Sequence, residues 1–307
     1  MKAPLTFSLL LGLFLSSCTK SSRTESPDVI ATTTMIADMV RVIAGEDVSV
    51  GALMRPGVDP HLYKASPADV SKLNQAKVIF YNGLLLEGKM EDLFERLAGD
   101  GKAVHAVSDS VPESRRLARQ DTEGHPDPHI WGDARLWAST VDDVVAQLSA
   151  TFPDHKEDFE GRGEGYKVDL ETLHRWAEKR VAEIPEDRRK LVTSHDAFAY
   201  FGKACGLEVV GVQGISTAAD PSVADRTRMV DFIKANGITA IFVESSVNKA
   251  LIEQIATDAD VSVGGELFSD AMGEPGDVRT VNGDSYDVGT YIGMLKHNVN
   301  AIVEALR

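Results

Sequence analysis

LVTSHDAFAYF, residues 191–201, reads as a short apolar strand running straight into a helix. The strand covers Lys190 to Thr193, the helix starts near Asp196, and His195 sits in the turn between them. In an open α/β sheet, ligands gather at the carboxyl ends of the strands. A histidine there faces a crevice rather than a core. Two further histidines lie outward from this stretch in punctuated settings, His61 in VDPHLY (58–63) and His129 in PDPHIW (126–131). An acid, Asp270, ends the strand-like run VSVGGELFSD (261–270). The steps between the four are 68, 66 and 75 residues, so they come from four distant loops, and they read as one metal site.

The chain around these residues alternates strand and helix. VIATT (29–33) is a β-branched strand, and Met35, Ile36, Met39, Val40 and Ile43 follow at helical spacing up to Gly45. VSVGALM (48–54) and VIFYNG (78–83) are the next strands. Ser66-Pro67-Ala68-Asp69 opens a helix, with a capping serine, a proline at the first helical position and an acid in the first turn. Glu87 to Leu97 reads as an amphipathic helix, and Pro112 to Pro128 as a polar loop. From Asp154 to Ile184, Phe159, Tyr166, Leu170, Leu173, Ala177, Val181 and Ile184 share one helical face. The second half repeats the alternation, with strands at LEVVGVQG (207–214) and ITAIFVESS (238–246) and a final helix from Gly289 to Leu306. Met272 to Tyr286 reads as a loop rich in Gly and Asp. The fold expected is α/β: two βα-alternating lobes with parallel sheets, joined by one long rigid helix, with the metal site between the lobes. The expected boundaries are 29–153 for the first lobe, 154–185 for the connecting helix and 186–307 for the second lobe.

The first 28 residues are read separately. Lys2, an apolar run from Leu5 to Leu15 and small residues before Cys18 make residues 1–17 a signal peptide. The run is too short to span a bilayer, which takes about 20 residues. Leu15-Ser16-Ser17-Cys18 resembles a bacterial lipobox, which makes Cys18 the lipid anchor and residues 18–28 a polar tether. The expected location is outside the cytoplasm, in the periplasm or at the cell surface. Cutting before Cys18 leaves 290 of the 307 residues. With Cys18 acylated, Cys205 has no partner for an intrachain disulfide, and it reads as an inert, buried thiol. The formal net charge is −15, which excludes the basic footprint of a nucleic-acid binder and suits a protein that handles cations. A solvated acidic surface accounts for most of that charge without any function.

Three imidazoles and one carboxylate suit zinc and other first-row ions. Asp-Pro precedes both His61 and His129. Asp59 and Asp127 can bond nearby backbone groups, while Pro60 and Pro128 fix the approach of each histidine. Each of these residues also has a plainer reading. A lone loop histidine is more often not a ligand, and a lone Asp270 is more often a helix cap. His125 is a loop histidine of this kind. His105, His155, His174 and His297 lack the punctuation and read as surface or packing residues. Asp196 reads as the cap of the helix after His195, or as a group holding that ligand from behind. Glu244 ends a strand, as a site residue would, and is a second candidate for orienting a ligand from behind.

GVDPHLY, DPHIW, TSHDAFAYF, GELFSD and the long connector together resemble the metal-binding family of ABC-transporter solute-binding proteins, the zinc and manganese uptake lipoproteins. The resemblance covers residues 29–307. It implies two lobes joined by one helix, with the ion held between them by His61, His129, His195 and Asp270. It implies Zn2+, with Mn2+ as the alternative, and partnership with an ABC permease and its ATPase by a monomeric protein. The manganese-handling members of that family frequently carry Glu where this chain has His195. The sequence departs from the family at Lys64, where Glu is common, and at Gly132-Asp133-Ala134, where Leu-Asp-Pro is usual. The histidine-rich loop of many zinc-specific members is reduced to His125. A secreted zinc hydrolase is a competing reading, but HExxH is absent and the four ligands already complete a tetrahedral set. A metal-binding adhesin without transport is a third.

Overall fold

The computed structural model describes residues 26–118 and 124–307. The signal peptide, Cys18 and the first part of the tether lie outside the described residues.

The first half runs β1 (Val29–Ala31), α1 (Thr34–Ala44), β2 (Val50–Ala52), α2 (Pro67–Gln75), β3 (Val78–Tyr81), α3 (Glu91–Gly99), β4 (Ala103–Ala106), α4 (Ala134–Ala138) and α5 (Val141–Thr151). Its four strands form one parallel sheet in the order β2-β1-β3-β4. The helix starts follow from sequence. Thr33 caps α1 through Ile36 N–H, and Ser66 and Asp69 form a reciprocal capping box on α2. A cap of this kind stabilises by about 1 kcal/mol.

The connector α6 (Lys156–Val181) has 26 residues and spans about 39 Å at 1.5 Å per residue. Its predicted face is buried throughout, from Phe159 to Ile184 just beyond its end. It packs on α1, α4 and α5 from the first half, and on the last helix of the chain. Each large apolar side chain so buried stabilises by roughly 1.5–3 kcal/mol.

The second half contains β5 (Lys190–Thr193), α7 (Ala199–Cys205), β6 (Glu208–Gly211), α8 (Val223–Ala235), β7 (Ala240–Glu244), α9 (Ala250–Ala259), β8 (Ser262–Leu267), β9 (Val278–Val281), β10 (Asp284–Asp287) and α10 (Tyr291–Leu306). β5 pairs in parallel with β6, and β7 in parallel with β8. The molecule is thus a two-lobed α/β protein with parallel sheets and one long helix. Among the described residues no helix is long and apolar enough to cross a membrane.

Two expectations are corrected. Met272 to Tyr286 is not only loop, because β9 and β10 form an antiparallel hairpin. Its turn is Asn282-Gly283, with φ of 52° and 82°. That is the turn chemistry that lets a two-residue connection follow the twist of its strands. The helix after His195 starts at Ala199 rather than near Asp196, and Asp196 does not cap it. Asp196 Oδ1 instead accepts the Gly211 N–H at 2.9 Å. A side chain at Gly211 would place its Cβ 2.6 Å from the Asp196 nitrogen, so only glycine lets β6 approach this turn.

Candidate metal centre

Each of the four predicted residues follows the carboxyl end of a strand. His61 lies in the loop after β2, His129 ends the long β4–α4 connection, His195 follows β5, and Asp270 follows β8. The structure brings them together: one potential ligand atom from each lies within 4.8 Å of the others. His61 Nε2 and His129 Nε2 are 3.3 Å apart. Asp270 faces both remaining imidazoles, with Oδ1 3.4 Å from His129 Nε2 and Oδ2 3.2 Å from His195 Nε2. All four residues are buried, and His61, at 6 % exposed, is the most accessible.

The Asp-Pro-His turns explain how two of the imidazoles are aimed. Asp59 Oδ1 accepts the His61 N–H at 2.8 Å, and Asp127 Oδ1 accepts the His129 N–H at 2.9 Å. Each aspartate closes a turn onto the backbone two residues on. Asp127 does more, because the same Oδ1 lies 2.8 Å from His129 Nδ1. Asn82, at the end of β3, steadies the turn by donating to the Pro128 carbonyl at 2.9 Å. His195 is held in the same manner by Glu244. Oε1 accepts the His195 N–H at 2.9 Å, and Oε2 lies 2.5 Å from Nδ1. With Nδ1–H committed to a carboxylate, each ring presents Nε2 towards the cluster. This is how a carboxylate fixes the tautomer of a ligating histidine. Asp127 was legible in the sequence only as a backbone partner; its grip on the ring depends on folded geometry.

The charge states separate the three histidines. Burial drives His61 down to about 3, so its ring stays neutral. Burial acts the same way on His129, but Asp127 and Asp270 outweigh it and raise this ring to about 9. At His195, too, burial is overcome, by Glu244 and Asp270, and the ring titrates well above the usual histidine range. Asp270 is held well below the carboxylate range: burial opposes ionisation, and His195 and His129 overcome it. Both Asp270 oxygens and His195 Nε2 are buried without a hydrogen-bond partner. A cation placed among them would satisfy all three atoms and take the place of the protons on the rings.

The other histidines are elsewhere. His125 is exposed, and His297 Nε2 bonds the Glu266 carbonyl in β8. A second group, Asp47, His155 and Asp158, also comes together, but largely in solvent. There Arg162 already pairs with Asp47 at 2.5 Å, so a cation would have to displace a guanidinium. Cys205 is partly buried, and burial pushes its thiol up to about 12, as an inert thiol requires.

Two α/β lobes on a shared long helix, with a buried cluster of three imidazoles and a carboxylate drawn from both, define a class: the two-lobed binding proteins. Comparison with known proteins narrows the class. Residues 29–305 match the family described as "Zinc-uptake complex component A periplasmic". The chain is 42% identical to the manganese-binding lipoprotein MntA of Bacillus subtilis (strain 168), over 317 aligned residues covering all of both chains. It is 32% identical to the metal ABC transporter substrate-binding lipoprotein SloC of Streptococcus mutans, over 97% of this chain and 95% of the other. The solved structure of the periplasmic zinc binding protein TroA from Treponema pallidum superposes with a TM-score of 0.86 at 42% identity, over 92% of this chain and 99% of that one. The chain belongs to this family of metal-binding, ABC-transporter solute-binding proteins. It is a binding protein and not an enzyme.

Proposed function

We propose that His61, His129, His195 and Asp270 hold one divalent transition metal, captured outside the cytoplasmic membrane and delivered to an ABC permease driven by its ATPase. The observation that carries this is the convergence of four buried ligand atoms within 4.8 Å, backed by two carboxylates that orient the rings. Zinc is the first cargo and manganese the second. Three imidazoles are borderline donors that suit zinc, and nitrogen-rich sites bind zinc more tightly than manganese. The relatives' names point both ways, to zinc for TroA and to manganese for MntA. The donor set is therefore the reason for the order. The protein works as a monomer tethered by a lipid on Cys18, with lobes at 29–153 and 186–307 flanking the connector.

The test is metal analysis of protein purified without added metal, followed by zinc–manganese competition at fixed pH. One equivalent of metal, with zinc displacing manganese, is expected. Preferential retention of manganese would reverse the order of cargo. Failure to bind either ion would remove the reading.

A further inference from the structure

The four ligand-bearing turns are not braced equally across the lobes. The His129 turn is bound to the second half on both sides. Tyr200 on α7 donates to the Asp127 carbonyl at 3.0 Å, and Trp131 Nε1 donates to the Ser269 carbonyl, beside Asp270, at 2.9 Å. Tyr291 on α10 adds a bond to the Trp131 carbonyl at 2.7 Å. His195 and Asp270 belong to the second half themselves. The loop that carries His61 follows β2, at the edge of the first sheet. Among the described residues, one hydrogen bond joins residues 55–65 to the backbone or a non-ligand side chain of the second half: Thr217 Oγ1 donates to Asp59 Oδ2 at 2.5 Å.

That bond sits between two ligand turns. Asp59 uses its other oxygen, Oδ1, for the His61 N–H. Thr217 lies on the loop from β6 to α8, whose base is bonded on either side of His195. Gln213 N–H donates to the Ser194 carbonyl at 2.9 Å, and Asp196 N–H to the Gly214 carbonyl at 3.3 Å. Gln213 Nε2 reaches the Ala219 carbonyl at 3.1 Å and folds the loop over itself. Thr217 is buried despite its place in a surface loop. Hydrogen bonds therefore join His61 to Asp59 and Asp59 to Thr217, and the backbone of the β6–α8 loop carries the link from Thr217 to the bonds at its base that hold the His195 turn.

We propose that the Asp59–Thr217 hydrogen bond is a latch that keeps His61 on the ion, so that release begins with His61 leaving and Thr217 sets its rate. This rests on the reading of the four residues as the metal site. Thr217 does not touch the metal; it is a positioning residue. His61 is the ligand to leave first because it is the most exposed of the four and, among the described residues, its turn has one hydrogen bond to a non-ligand group of the second half.

The experiment is stopped-flow release of zinc into excess chelator from the full mature protein, comparing wild type, Thr217→Val and Thr217→Ser. Thr217→Val keeps the shape and removes the hydroxyl. It is expected to release zinc about five- to tenfold faster, the scale of one net hydrogen bond. Metal stoichiometry should be unchanged, and the metal-free protein should lose no more than the roughly 2–4 °C of melting temperature that one hydrogen bond is worth, which separates a latch from a general packing role. Thr217→Ser, which restores the donor, should release at close to the wild-type rate. Release from Thr217→Val within twofold of wild type refutes the latch, as does equally fast release from both variants. Should Thr217→Val fail to fold, Thr217→Ala carries the same comparison with the serine variant. If wild-type protein does not bind zinc one to one, or His61→Ala binds it as tightly as wild type, the metal-site reading itself fails.

Discussion

His195 is clamped twice by Glu244: one carboxylate oxygen takes its backbone N–H at 2.9 Å, and the other lies 2.5 Å from its Nδ1. Both residues are fully buried, so no solvent replaces either contact. Glu244→Gln keeps the volume but leaves one acceptor oxygen for two N–H groups, with an NH2 donor facing the other. Metal affinity should fall roughly 10–100-fold, the usual cost of losing such a partner. Competition with a chelator of known affinity measures this. An unchanged dissociation constant would mean that the ring is aimed by packing alone.

Metal binding should release protons. At pH 7 the metal-free protein holds His129, raised to about 9, and His195, raised well above 6.5, in their charged forms, while His61, lowered to about 3, is neutral. Ligation at Nε2 removes up to two protons, so affinity rises with pH and weakens steadily towards pH 5. The linkage to folding has the opposite sign. A histidine with a raised folded pKa stabilises the metal-free fold fully below pH 6.5 and loses that contribution as pH passes 9. Metal-induced stabilisation should therefore grow as pH rises. Titration calorimetry in buffers of different ionisation enthalpy counts the protons, and identical heats in all buffers at pH 7 would contradict the assignment.

Replacing His61 or His129 with Ala should lower affinity by orders of magnitude and abolish most of the thermal stabilisation by zinc. A ligand stabilises in proportion to the logarithm of its concentration over its dissociation constant, about 2.7 kcal/mol at a hundredfold excess. His105→Ala should leave the zinc-dependent shift in melting temperature intact, since this ring lies on β4 away from the cluster. A similar loss in all three variants would remove the distinction between ligand and bystander.

His195→Glu tests selectivity. It replaces an imidazole with a harder oxygen donor, which suits manganese and costs zinc one of its nitrogen donors. It also places a third carboxylate beside Glu244 and Asp270. The ratio of manganese to zinc dissociation constants should shrink, chiefly through weaker zinc binding. The metal-free variant should melt at a lower temperature through like-charge repulsion. A ratio equal to or above wild type, with the fold intact, would place selectivity elsewhere.

Much of this was legible from local pattern. The strand–helix alternation, the capped start of α2 and the amphipathic face of α6 are set by neighbours in sequence, so periodicity and capping residues reveal them. The four clustered residues stood out because Asp-Pro-His and strand-end placement are local signals as well. What the sequence hid is long-range. Glu244 could be marked as a candidate support because it ends a strand, but the histidine it holds, 49 residues away, could not be named. Thr217 sits in an ordinary polar loop, 158 residues from Asp59, with no signal of its own. Asp196 looked like a cap because it precedes a helix, and the approach of β6 at Gly211 took it instead. The Asn282-Gly283 hairpin was an available local signal, outweighed by the polar composition of its flanks.

The central core contains Val29, Phe80 and Trp137 from the first half together with Leu191, Phe242 and Leu306 from the second, with the buried face of α6 between them. Smaller clusters of apolar residues sit outside it, one around Ile79 and Phe94 and another around Ile241 and Ile255. The visible division into two lobes is therefore not a division of cooperativity. A chain cut on either side of α6 leaves each fragment with half of a shared interior exposed. The two halves should melt in a single calorimetric transition and should not fold when expressed apart.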